Sequence, residues 1–123
     1  MLDDRTTLPD PELAPTAIWS YDDNITGWQA LLGEHAGSES VSAYAAAARA
    51  ADLSLLPPAY IDVGDLDIFR DEDLAYARRL ARAGVTTEVH VHPGCPHVFD
   101  ILAPNTAVSR RVIADRVRRL RGL

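Results

Sequence analysis

Apolar and polar residues alternate clearly only in the second half of the chain. Ala59-Tyr60-Ile61-Asp62-Val63 follows a stiff Leu56-Pro57-Pro58 entry and predicts a short strand that Gly64 breaks. Leu74, Ala77, Leu80, Ala81 and Gly84 then recur at helical spacing. Asp71, Glu72 and Asp73 sit where a helix N-terminus favours negative charge, and Gly84 is a fitting stop. Thr86 to Val91 is β-branched and predicts a second strand that Pro93-Gly94 ends. A last helix is expected from Asn105 or Thr106 to Leu120, with Val108, Val112, Ile113, Val117 and Leu120 along one side.

The first half is less regular. Residues 1–16, with Pro9, Pro11 and Pro15, predict loop. Ile25, Trp28, Leu31 and Leu32 predict a helix over Asn24–Leu32, ended by Gly33, and the Ala-rich stretch Ala43–Ala51 fits a helical turn or two. The expected organisation is one partial α/β domain over 1–123. Residues 1–54 supply loops, a strand end and a helical segment, and 55–123 form a β-α-β-α unit.

Strand, helix, strand implies a parallel pair with a right-handed crossover. Ligands of such sheets bind beyond the carboxyl ends of the strands. The loops Gly64–Asp67 and Pro93–His97 both leave from that edge.

Composition narrows the classes. Hydrophobic residues make up 47% of the 123 and charged residues 24%, as in ordinary globular domains. No apolar run approaches the roughly 20 residues of a membrane span. The acidic start Met1-Leu2-Asp3-Asp4-Arg5 has no apolar signal region, so a cytoplasmic location is the default expectation. The single Cys95 excludes an intrachain disulfide framework. A net charge of −6 argues against nucleic acid as a partner. All twelve basic residues are Arg, and the C-terminal group Arg110, Arg111, Arg116, Arg118, Arg119 and Arg121 fits a solvated helix end.

Candidate chemistry gathers in the two strand-end loops. A carboxylate there, Asp65 or Asp67, can reach His97 in the neighbouring loop, fix its tautomer and stabilise its imidazolium. The same aspartates could equally serve as turn formers and helix caps. His90 and His92 share a strand face, with Cys95 nearby, but no metal-binding motif accompanies them. Neither a metal nor another cofactor is expected. Cys95 stands two residues from His97, yet no oxyanion hole accompanies it, and it is expected to be a small loop residue.

The run Gly64-Asp65-Leu66-Asp67-Ile68-Phe69-Arg70-Asp71-Glu72, the segment Tyr76–Val85 and the run Pro93-Gly94-Cys95-Pro96-His97-Val98-Phe99 resemble the C-terminal part of hormone-sensitive-lipase-type esterases of the α/β-hydrolase fold. The resemblance is strong over 56–99 and weaker elsewhere. It implies hydrolysis of carboxylic esters, with Asp67 in the D-P-L-x-D-E-like stretch as the acid and His97 in the P-G-x-x-H-x-F stretch as the base. Ile68 replaces the usual Pro, and Pro96 directly precedes His97.

Such enzymes also need a G-x-S-x-G nucleophile elbow and an H-G-G-G-type oxyanion loop, and neither is in this sequence. Ser20, Ser38, Ser40, Ser42, Ser54 and Ser109 all lack that frame. The expectation is therefore the acid and base of a triad whose serine lies on another segment, with a small ester as substrate and the chain alone inactive. The alternative is an inactive hydrolase-derived binding or assembly domain. Without neighbouring strands the sheet edge would be sticky, so a homo-oligomer is expected.

Overall fold

The computed structural model describes residues 1–122; Leu123, the last residue of the expected β-α-β-α unit, lies outside the described residues. Its centre is the predicted unit: strand β1 (Ala59–Gly64), helix α2 (Arg70–Arg82) and strand β2 (Thr87–His92). The strands pair in parallel, with Ile61 opposite Val89 and Gly64 opposite His92. Helix α1 (Tyr21–Leu32) precedes this unit, and a short α3 (Phe99–Leu102) and α4 (Ala107–Arg121) follow it.

Side-chain alternation gives the sheet two unlike faces. On one face Ala59 and Ile61 pack with Leu53, Leu80, Val85, Tyr76 and Ala83. The other face is polar: Asp62 is gripped by Arg116 and Glu88 by Arg118, both from α4. Two further clusters complete the core, Trp28–Val41–Ala46 and Cys95–Phe99–Val112.

Helix α1 begins three residues before its expected start. Ser20 accepts from the Asp23 N–H, and the Asp23 carboxylate accepts from the Ser20 N–H, a capping box that satisfies two otherwise orphaned donors. The Ala-rich stretch yields one 3-10 turn, Ala47–Arg49.

Two expected apolar stripes are only partly buried. On α2, Ala77 and Leu80 are buried, but Leu74 is exposed, because Glu72 and Asp73 occupy the inward side of the first turn. On α4, Val112 is fully buried, while Ile113, Val117 and Leu120 stay open because the two-stranded sheet does not extend beneath them. Of the C-terminal arginines, Arg116 is only partly exposed and holds Asp62, while exposed Arg118 reaches Glu88 of β2.

The first segment is stitched on by polar contacts. Buried Glu72 accepts from the Leu2 N–H, from the Asp3 N–H at 3.3 Å and from the Thr7 hydroxyl at 2.6 Å. Arg79 donates to the carbonyls of Ala48 and Ala50. Arg49 and Asp4 form a buried bidentate pair with bonds of 2.7 and 2.8 Å. Among the described residues no helix is long and apolar enough to cross a membrane.

Candidate active site

Both strand-end loops leave the same edge of the sheet, and backbone contacts lock them together. The Asp65 N–H donates to the His92 carbonyl at 3.1 Å, and the Leu66 N–H donates to the Cys95 carbonyl at 3.1 Å. Such contact demands glycine at position 64, where an added Cβ would lie 1.9 Å from the Cys95 carbonyl oxygen. Asp65 closes the junction by accepting from the Gly94 N–H at 2.7 Å.

Of the two candidate carboxylates, Asp67 meets the histidine. His97 Nδ1 lies 2.8 Å from Asp67 Oδ2. The other Asp67 oxygen accepts from the Phe69 N–H at 3.0 Å, which fixes the carboxylate at the start of α2. The Asp67 side chain is 8% exposed and that of His97 31%. A buried acceptor on Nδ1 sets the tautomer in which Nε2 carries the free lone pair. Among the described residues no group hydrogen-bonds Nε2. The imidazole is flanked by Phe69, edge-on at 5.6 Å, and by Trp19 at 6.3 Å.

Around the pair lies a cavity of about 290 Å³, lined in part by Asp62, Asp73, Phe99 and Arg116. Burial pushes the Asp73 carboxyl up to about 6; neighbouring Glu72, Asp67 and Asp62 add to the shift, partly offset by the Met1 amine. Burial also pushes Asp62 upward, but the hydrogen bonds and charge of Arg116 outweigh it and hold Asp62 below the ordinary carboxylate range.

The other candidates are placed elsewhere. Cys95 is buried against Phe99 and Val112, and burial, followed by the charge of Asp65, raises its thiol pKa, which disfavours a thiolate. The rings of His90 and His92 stack 6.1 Å apart. His90 contacts Glu88 at 2.8 Å, while His92 is buried and its Nε2 is unpartnered among the described residues. Among the described residues no three His, Cys, Asp or Glu side chains gather in a metal-binding group. Each serine serves locally where it bonds: Ser20 caps α1, Ser38 and Ser40 bond each other, and Ser109 is buried against Thr106.

Three features escape sequence reading: the flanking Trp19, the Glu72 anchor and the Arg116 link. The nearest signal was the Ser20-x-x-Asp23 box, which places Trp19 immediately before a helix.

The fold is shared with known proteins. A family model described as alpha/beta hydrolase fold matches residues 1–101. Esterase LipI of Mycobacterium tuberculosis (strain ATCC 25618 / H37Rv) is 40% identical over 74 residues, covering 56% of this chain and 23% of that protein. Among solved structures, a bacterial heroin esterase superposes with a TM-score of 0.80 at 38% identity, covering 94% of this chain and 37% of its own. Esterase LipW from Mycobacterium marinum gives 0.80 at 32% identity, covering 98% and 37%. The chain thus spans between about a quarter and two-fifths of the length of these relatives.

Proposed function

This chain belongs to the α/β-hydrolase fold family, among esterases and lipases of the hormone-sensitive-lipase type, and from that premise we propose that it supplies the acid and base of a serine carboxylic-ester hydrolase. The observation that carries the reading is the 2.8 Å contact between His97 Nδ1 and buried Asp67. Asp67 is the acid, His97 the base, and the nucleophilic serine and oxyanion donors come from a segment outside this sequence.

In the assembled site the serine hydroxyl attacks the ester carbonyl while His97 Nε2 takes its proton. Asp67 holds Nδ1–H and stabilises the imidazolium. Collapse of the tetrahedral intermediate expels the alcohol, to which His97 returns the proton. Water then repeats the sequence on the acyl-enzyme, and backbone N–H groups hold the oxyanion in both halves. No metal or organic cofactor enters these steps. The substrate is a small carboxylic ester.

The chain forms part of one hydrolase domain, with residues 1–54 packed on the unit 55–123 through Glu72 and Arg79. Alone, it is inactive and associates with itself through apolar side chains left open on α4 and β2, among them Ile113, Leu120, Val89 and Val91. Light scattering reads that association; a stable monomer at micromolar concentration overturns it.

The catalytic reading is tested with p-nitrophenyl butyrate and a fluorophosphonate probe. The isolated chain neither turns over the ester nor takes the label. Mixed with the part of the heroin esterase relative that this chain does not cover, it restores labelling of a serine there, and His97→Ala abolishes the restoration. Labelling that survives His97→Ala overturns the reading, and restoration failing altogether favours an inactive assembly domain.

A further inference from the structure

The residue after His97 is strained. Val98 has φ 51° and ψ 28°, the left-handed region that a β-branched side chain rarely adopts. Such a conformation persists only where its surroundings hold it. Before it stands Pro96, and after it Phe99 is buried in the cluster with Cys95 and Val112. Next comes Asp100, whose side chain is 10% exposed and meets Arg116 Nη1 at 2.5 Å.

Arg116 has a second partner. Its Nε and Nη2 donate to the two Asp62 oxygens at 2.8 and 2.6 Å, a bidentate grip on β1 two residues before Gly64. One guanidinium therefore joins the strand that launches the Asp67 loop to the helix that follows His97. Both carboxylates are largely buried, so the cation between them is what makes their burial tolerable.

We propose that Arg116 is a positioning residue for His97: through Asp100 it holds the strained Val98 turn closed and so keeps the imidazole on Asp67. This rests on His97 acting as the base, but the arrangement can be read without any ester turnover. If the positioning fails while complementation still requires His97, only this inference falls. If the positioning holds and complementation does not need His97, only the catalytic reading falls.

The test is NMR on the labelled chain, following two signals. One is the hydrogen-bonded Nδ1–H of His97. The other is exchange protection of the Ile101, Leu102 and Ala103 amides, which donate to the Val98 and Phe99 carbonyls. Arg116→Met and Asp100→Asn are each expected to lower that protection by about tenfold or more, the weight of a lost charged hydrogen bond. Each also broadens or abolishes the imidazole signal while the β1–β2 amides keep their protection. Asp100→Asn leaves Arg116 on Asp62, so it decides the matter even where Arg116→Met does not fold. Adding Val98→Gly to Asp100→Asn removes the strain at its source and restores the imidazole signal, which a merely structural role for the ion pair would not. An unchanged imidazole signal and protection in folded Asp100→Asn, or no recovery with Val98→Gly, overturns the proposal.

Discussion

His97 and Asp67 lie 30 residues apart in the chain and 2.8 Å apart in space, with the acid side of the pair the more deeply buried. The carboxylate accepts from both the imidazole and the Phe69 N–H, so it is fixed from two directions. Asp67→Ala leaves a buried backbone donor unpaired and is expected to cost about 2–3 kcal/mol. Asp67→Asn keeps an acceptor for Phe69 and is expected to cost about 1 kcal/mol. Urea denaturation of both variants checks the ordering. In the complemented enzyme Asp67→Asn is expected to lower turnover by about 10⁴, because the histidine is left in the wrong tautomer.

Gly64 controls whether the two loops can meet at all. A methyl group there would sit inside the Cys95 carbonyl, which is backbone and has no rotamer to escape into. Gly64→Ala is expected to cost about 3 kcal/mol or more, or to push the loops apart. A fall in the urea midpoint together with loss of the His97 imidazole N–H signal is the expected result. Retention of both would mean that the junction is softer than its geometry implies.

The site was legible in the sequence to the extent that its causes are local. β1, α2 and β2 follow from alternation, acidic helix starts and glycine stops, and their order alone puts Asp67 and His97 at one sheet edge. Apolar spacing alone sets the start of α1 too late, because it does not mark a cap, although Ser20 and Asp23 do. The α3 turn was not legible because it depends on Val98 accepting an unfavourable conformation so that Phe99 can be buried. Arg116 looked like one more surface arginine, because its partners Asp62 and Asp100 are 54 and 16 residues away and only the fold brings them together. The exposed half of α4 is the converse case: its spacing predicts a buried face, and the two-stranded sheet offers nothing to bury it.

Asp73 should make the protein more stable in mild acid. Its folded pKa is raised to about 6 from 3.8, so the folded state holds a proton that the unfolded chain releases. Its contribution to stability therefore rises as pH falls from above 6 towards 3.8 and is unfavourable at neutral pH. Asp73→Asn removes this dependence. With the side chain partly solvated, the gain at pH 7.5 is expected to be about 1 kcal/mol. Thermal unfolding of both proteins between pH 4 and 8 gives the comparison, and a variant less stable than its parent at pH 7.5 would contradict the burial argument.

His92 acts in the opposite direction. It is 3% exposed, stacked on His90 and close to Phe99, and its Nε2 has no partner among the described residues. Burial lowers its pKa below 6.5, helped by His90, Arg111 and Arg116, while Asp62 opposes the shift. The unfolded chain thus takes up a proton near pH 6.5 that the folded state refuses, so stability is full above that pH and is lost as pH falls below it. His92 also matters to the site, because its carbonyl accepts from the N–H groups of both Asp65 and Cys95 and so anchors both loops. Near pH 5 the His92 and Asp73 contributions have opposite slopes, and the parent protein's pH profile should be flatter than that of either variant. His92→Leu removes the acid-labile group and keeps similar bulk. It is expected to leave stability at pH 8 within about 1 kcal/mol of the parent and to be the more acid-resistant of the two at pH 5. Asp73→Asn is expected to be the more acid-sensitive. Parallel profiles for parent and His92→Leu would show that the buried imidazole does not couple to folding.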